Sequence, residues 1–154
     1  MVYRVIAGVV GAALAVGILM FLLTPGDRIS AEDEIRTTLN NAATAYSAGK
    51  MWEVMSVLSP TYKDGTGMTR DQTAALLTRY RAETPASRAF IEKMTIAVTG
   101  GEAEVPLTVN VQDGAGTRHF DFTAHLRREK DTVFGFVPVQ RWKVYRMDGL
   151  PDVE

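Results

Sequence analysis

Apolar positions follow three successive patterns along the chain. Residues 5–23 (VIAGVVGAALAVGILMFLL) form a run without a charge or strongly polar group. From residue 31 to about 84, apolar residues recur at helical spacing. Beyond residue 90 they alternate with polar residues at a period of two.

The first pattern predicts a membrane span. At about 1.5 Å per residue, nineteen helical residues cover roughly 28 Å, close to the ~30 Å hydrocarbon core of a bilayer. A helix also satisfies its own backbone amides in lipid. Thr24, Pro25, Gly26 and Asp27 end the run. Arg4 and the terminal amine precede it, and Asp27, Arg28, Glu32, Asp33 and Glu34 follow it. Positive charge stays on the cytoplasmic side, which places the N-terminus inside the cytoplasmic membrane and the C-terminal domain in a periplasmic or other extracytoplasmic space. A cleaved signal peptide is the competing reading. Its apolar stretch would be shorter, and Phe21, Leu22, Leu23 and Thr24 do not form a small-x-small cleavage site, so an uncleaved signal anchor is favoured. With no cysteine in the chain, lipid attachment of the lipoprotein kind is excluded. Small residues four apart (Gly8 with Ala12, Gly11 with Ala15, Ala13 with Gly17) permit close helix pairing in the membrane.

The second pattern predicts three helices. Ile35, Leu39, Ala42, Ala43 and Tyr46 mark the first, over 31–48, with Ser30 and Asp33 as a variant capping box and Gly49 as its stop. The second, over 51–58, carries Trp52, Met55 and Leu58, and Ser59 with Pro60 ends it. Residues 61–68 (TYKDGTGM) then read as a glycine-punctuated loop. Thr69 and Gln72 form a capping box for the third helix, with Ala74, Leu77, Tyr80 and Arg81, closed by Thr84 and Pro85.

The third pattern predicts four antiparallel strands. The first covers 90–98, and Gly100 with Gly101 turns the chain. Ala103, Val105, Leu107, Val109 and Val111 alternate with polar residues along the second, where Pro106 marks an edge or a bulge. Residues 113–116 (DGAG) make a hairpin connection. Phe120, Phe122, Ala124 and Leu126 form the inward face of the third strand. Trp142 and Val144 lie on the last, which ends near Asp148. Residues 133–139 (VFGFVPV) either extend that strand through a bulge or form an apolar loop. Helices followed by an antiparallel sheet define an α+β domain in which the sheet curls around the first helix. The domain layout is anchor 1–24, linker 25–30, domain 31–149 and tail 150–154.

This element order resembles the NTF2-like superfamily of cone-shaped, cystatin-like α+β domains. Tyr46, the segment 62–70 (YKDGTGMTR), Phe120-Asp121-Phe122, Leu126-Arg127-Arg128-Glu129 and Trp142-Lys143-Val144 carry the resemblance. It implies a scaffold whose interior serves as an active site in some members, such as isomerases, dehydratases and epoxide hydrolases. In others it serves binding or assembly. Membrane-anchored periplasmic members include the VirB8-like components of type IV secretion, for which this outer domain is short.

Composition narrows the chemistry. The chain of 154 residues is 46% hydrophobic and 23% charged, with a net charge of −1, which gives no pull toward nucleic acid. Two histidines and no cysteine leave little material for a metal site. His119 and His125 lie six residues, about 20 Å, apart on one strand face with Asp121. An isomerase-like site needs a carboxylate base and a hydrogen-bond donor inside the cone. Strand parity places Asp121, Glu102 and Glu104 outside. Asp64 is left, with Tyr46, Tyr62 or Tyr80 as donors, and an Asp beside Gly is first a turn residue. Residues that would line a cone pocket are Tyr46, Trp52, Met55, Tyr62 and Asp64. Tyr80, Phe120, Phe122 and Trp142 complete the set. The sequence therefore predicts a membrane-anchored binding or assembly module without catalytic residues, metal or cofactor. Its partners would be the membrane and a second copy or another envelope protein. A small-molecule carrier or enzyme using the cone is the alternative.

Overall fold

The computed structural model describes residues 29–150. The 5–23 run and most of the predicted linker and tail lie outside them. Among the described residues no helix is long and apolar enough to cross a membrane.

The helices form largely where the pattern places them. Helix α1 is Ala31–Ser47 and buries Ile35, Leu39 and Tyr46. Gly49 stops it in a left-handed conformation with φ +75°. The Lys50 amide donates back to the Ala45 carbonyl and the Gly49 amide to Tyr46, both at 2.9 Å, which satisfies the last free carbonyls. Helix α2 is Met51–Val57. Helix α3, Arg70–Glu83, begins with the Thr69–Gln72 capping box and ends at Thr84.

The sheet departs from the four-stranded expectation. It has six strands: β1 Leu58–Asp64, β2 Arg88–Met94, β3 Ala97–Thr99, β4 Glu102–Asp113, β5 Gly116–Val133 and β6 Val137–Asp148. Their order is β1-β6-β5-β4-β2, with β3 also beside β4. The pairing of β1 with β6 is parallel and every other pairing is antiparallel. The segment read as a loop after Pro60 is thus an edge strand. Pro60 is tolerated there because only one side of an edge strand needs its amides. The predicted strand 90–98 is two strands, β2 and β3. Pro106 is neither at an edge nor in a bulge. It lies opposite the break between β2 and β3, where its carbonyl accepts from Thr95 at 3.1 Å and its missing N–H leaves the ladder interrupted.

The helices cover one face of the sheet. Ile35, Leu39 and Met55 from the helices meet Val105, Leu107 and Leu126 from the strands. Inward parity on β5 holds for Ala124 and Leu126, which are fully buried, while Phe122 packs at the core's margin and Phe120 is half-buried. Helix α1 has a fixed direction across the sheet. At its start, Glu34 Oε2 accepts from Arg128 at 2.9 Å and from Trp142 Nε1 at 3.1 Å. At its end, Ser47 Oγ donates to the Ala89 carbonyl at 3.1 Å and accepts its amide at 2.9 Å. The N-terminus of α1 therefore lies toward the β5–β6 turn, and its C-terminus toward the β4–β5 turn.

Candidate functional site

Among the described residues, the nine predicted to line a pocket stand in different surroundings. They fall into separate groups, each with its own partners. Tyr62, at 1% exposure, stands at the centre of the interior with Trp142 and Met55. Its hydroxyl and that of Thr73 are buried without a well-formed hydrogen bond. Burial first, and the Asp64 charge second, push the Tyr62 pKa up to about 12. That hydroxyl remains neutral at any physiological pH and can serve only as a donor or acceptor.

Asp64 is buried two residues on, and one of its carboxylate oxygens is occupied. Oδ1 accepts from the Thr66 amide at 2.9 Å, the Thr66 hydroxyl at 2.7 Å and the Met68 amide at 2.8 Å. The Gly67 amide donates to the Asp64 carbonyl at 3.0 Å, and Gly67 has φ +91°. Three donors on one oxygen describe a turn anchor.

Tyr46 belongs to a different cluster. Its hydroxyl shares a 2.9 Å hydrogen bond with Ser87. Arg81 lies over the Tyr46 ring at 5.7 Å and donates to the Ser87 carbonyl and to Ser47 O, the latter at 3.1 Å. This ties the ends of α1 and α3 to the start of β2. Tyr80 belongs to a third cluster. It donates to Asp113 Oδ2 at 3.1 Å, while Arg118 bonds both groups and covers the Tyr80 ring. Burial and the bond to Asp113 raise the Tyr80 pKa. The Ala115 amide and then Arg118 hold Asp113 below the ordinary carboxylate range. Trp142 is tied to Glu34 and stacked beneath Arg128.

Trp52 corrects the sequence reading most sharply: it is 74% exposed. A helix of seven residues buries one narrow stripe, which Met55 occupies, and Trp52 turns outward. On the outer face of the sheet, parity held. Asp121 accepts from Thr108 across the strands at 2.6 Å, and Glu102 and Glu104 are exposed. His119 stands 3.8 Å from Glu92, and His125 bonds Asp148 at 3.0 Å. Among the described residues no three His, Asp or Glu side chains gather as a metal site. A groove of about 510 Å³ follows α3 outside the Asp64 turn, lined by Thr66, Met68, Gln72, Ala75, Leu76 and Arg79. It contains none of the nine predicted residues.

Sequence reasoning left residues 133–139 open between a strand extension and an apolar loop, and singled out none of the apolar side chains exposed there, among them the two most exposed large ones, Phe134 and Phe136. Phe134, Phe136 and Val137 are 84%, 77% and 41% exposed at the β5–β6 turn. The signal was present: valines and phenylalanines are arranged symmetrically about Gly135, the pattern of a three-residue hairpin with glycine in the left-handed position.

No family model matches the sequence, and no curated protein matches it. Solved structures match the fold. An NTF2-like protein of unknown function from Pseudomonas putida aligns with a TM-score of 0.62 at 12% identity, covering 82% of this chain and 91% of that one. An NTF2-like protein with a cystatin-like fold from Novosphingobium aromaticivorans aligns at 0.58 with 17% identity, covering 80% and 83%. The protein Bd1075 of Bdellovibrio bacteriovorus aligns at 0.59 with 11% identity. There the match covers 81% of this chain but only 44% of the larger partner. The domain therefore has the NTF2-like, cystatin-like α+β fold. At these identities the likeness extends to the fold and no further.

Proposed function

We propose that the chain is a membrane-anchored, extracytoplasmic NTF2-like module that binds or assembles rather than catalyses. The observation that carries this reading is the fate of Asp64. It is the acid the sequence left as a candidate base, and its Oδ1 is held by three donors of its own turn. The interior around Tyr62 is packed with the domain's own side chains, among them Ile35, Val105, Leu126 and Val144 at full burial. The uncharged run at 5–23 supports the anchor, and the charges around it support an inside N-terminus. Self-association or a protein partner would use the outer sheet face, where Phe90 is 48% exposed.

Carbonate extraction of membranes bearing the full chain, followed by protease shaving from the outside, tests the anchor and its orientation. The chain is expected in the pellet, with residues beyond 30 cleaved and the N-terminus protected. A carbonate-soluble chain with a new amino terminus near Thr24 would overturn the tethered reading. The groove along α3 favours a second reading, a carrier of a small apolar ligand. An environment-sensitive apolar dye whose binding is lost on Leu76→Lys would support that carrier.

A further inference from the structure

The β5–β6 hairpin ends in an aromatic tip that the domain leaves uncovered. Val133 pairs with Val137 and closes a three-residue loop of Phe134, Gly135 and Phe136. Both rings stand out, at 84% and 77% exposure. Phe134 is also the one non-glycine of positive φ among the described residues, at +55°. A bulky aromatic is rare there, and such outliers gather at sites that do something.

We infer that this tip dips into the interface of a phospholipid bilayer, the same membrane that the 5–23 run would span. The inference rests on the anchor proposed above. Three observations select lipid as the occupant.

The first is size. Two phenylalanines bury about 150–250 Å² each, well short of the ~800 Å² that each partner contributes to a stable protein interface. A small apolar wedge suits a fluid apolar phase that needs no complementary shape.

The second is charge. The arms behind the tip, from the Arg127–Lys143 pair outward, carry Arg127, Arg128, Lys130, Arg141 and Lys143 against Glu129, Asp131 and, from α1, Glu34; within the domain Arg127 pairs with Glu129, Arg128 with Glu34, and Arg141 and Lys143 with Asp131, which leaves a net positive excess. A net positive collar behind an apolar tip matches the order of anionic headgroup and acyl chain, with the exposed Lys130 the basic side chain best placed to reach headgroup phosphates.

The third is position. Helix α1 starts over the Arg128 and Trp142 level of this hairpin, so the tip projects at the end of the domain where α1 begins. Five residues from Arg128 to Val133 carry the tip about 17 Å beyond that level. Seven residues separate the run from α1 and reach at most roughly 25 Å.

The absence of cysteine makes the test direct. The full chain carrying Val137→Cys is labelled with a polarity-sensitive fluorophore and reconstituted in vesicles of phosphatidylcholine and phosphatidylglycerol. Ala115→Cys, at the opposite hairpin, is the matched control. The label at 137 is expected to shift to the blue and to be quenched several-fold more by shallow doxyl lipids than the label at 115. Phe134→Ser with Phe136→Ser should abolish the difference. More phosphatidylglycerol should deepen the quenching. Equal, aqueous signals at both sites overturn the inference. So does a blue shift without doxyl quenching, which would assign the tip to a second copy or another protein. Carbonate extraction of the same vesicles reads the anchor separately. A pelleted chain with an aqueous tip overturns the tip alone. An extractable chain with a quenched tip overturns the anchor alone. An extractable chain with an aqueous tip overturns both.

Discussion

The β4–β5 turn and the β5–β6 turn sit at opposite ends of β5 and solve the same geometric problem with opposite chemistry. At the first, Asp113 pairs with Gly116, and Gly116 takes φ +136°. Its polar groups are used inside the domain: Asp113 accepts the Ala115 amide at 2.8 Å, and Tyr80 and Arg118 dock the turn against α3. At the second, the left-handed residues are Gly135, at φ +78°, and Phe134, and both phenylalanine rings face outward. A polar turn that finds its bonds at home has nothing left to offer a partner. An apolar turn that finds no cover at home carries its unburied area to whatever lies beyond. The two ends of one strand thus separate the part of the hairpin that stabilises the domain from the part free for interaction.

The largest effect sharpening this contrast comes from comparing the root of the β5–β6 hairpin with its tip. Leu126 is fully buried among Val105, Val144 and the helices. Leu126→Ala should cost about 2–5 kcal/mol from lost transfer energy and the cavity left behind. Phe136→Ser, at the exposed tip, should stay within about 0.5 kcal/mol. Denaturant midpoints of the two variants measure the difference. Equal losses would mean that the tip packs against the domain.

Gly135→Ala comes next. No atom lies within 4 Å of the added Cβ, so any cost is confined to the backbone at φ +78°. Left-handed conformation for an L-residue costs roughly 1–2 kcal/mol. Exchange of the Phe136 amide, bonded to the Val133 carbonyl, should accelerate at the same time. Unchanged exchange and stability would mean that this turn relaxes into another loop type.

A local pH effect separates the two ends further. The Ala115 amide, and after it Arg118, depress the Asp113 pKa. A carboxyl with a lowered folded pKa stabilises the fold above its ordinary range, and that contribution disappears as pH falls through the lowered value. Lys143 first, and then the Thr132 amide, depress Asp131 in the same way. The Ala115 and Thr132 amide resonances should therefore each show a step below the ordinary carboxylate range. Asp113→Asn should remove the step at Ala115 and leave that at Thr132. Loss of both would couple two turns that the geometry separates.

The sequence disclosed these regions unequally, for physical reasons. Helices α1 and α3 were legible because caps and stops are local: Thr69 with Gln72, and Gly49 after the last apolar residue, act within one turn of themselves. Parity along β4 and β5 was legible because a strand with one buried face must alternate. Strand β1 was not, since Pro60 and the glycines after Asp64 carry turn chemistry, and only a parallel partner more than 80 residues downstream makes Leu58 and Tyr62 into a strand. The break between β2 and β3 was hidden for the same reason: it is dictated by Pro106 on the neighbouring strand. Of the candidate site, burial of Tyr62, Tyr46 and Trp142 could be read from residue type. Their partners could not, because Ser87, Arg81 and Glu34 lie far off in sequence and are polar residues of no distinguishing pattern. Trp52 misled because large aromatics default to the core in any hydrophobic count, and a helix of seven residues cannot bury two faces.

The smallest predicted effect reverses the usual direction of mutation. Phe134 is 84% exposed and adopts φ +55°, so its ring contributes little packing while its backbone sits in a region disfavoured for an aromatic side chain. Asparagine tolerates that conformation far better, because its short amide can bond locally. Phe134→Asn should therefore stabilise the domain by about 0.5–1 kcal/mol, read as a higher denaturant midpoint at an unchanged slope. The same substitution at the docked end, Tyr80→Asn, should destabilise, because Tyr80 holds Asp113 and lies under Arg118. A gain at one end of β5 and a loss at the other would show that the domain itself does not need the aromatic at position 134, which leaves an external contact as the reason to bear the strain. A loss at both ends would instead make Phe134 a packing residue and erase the contrast between the two turns.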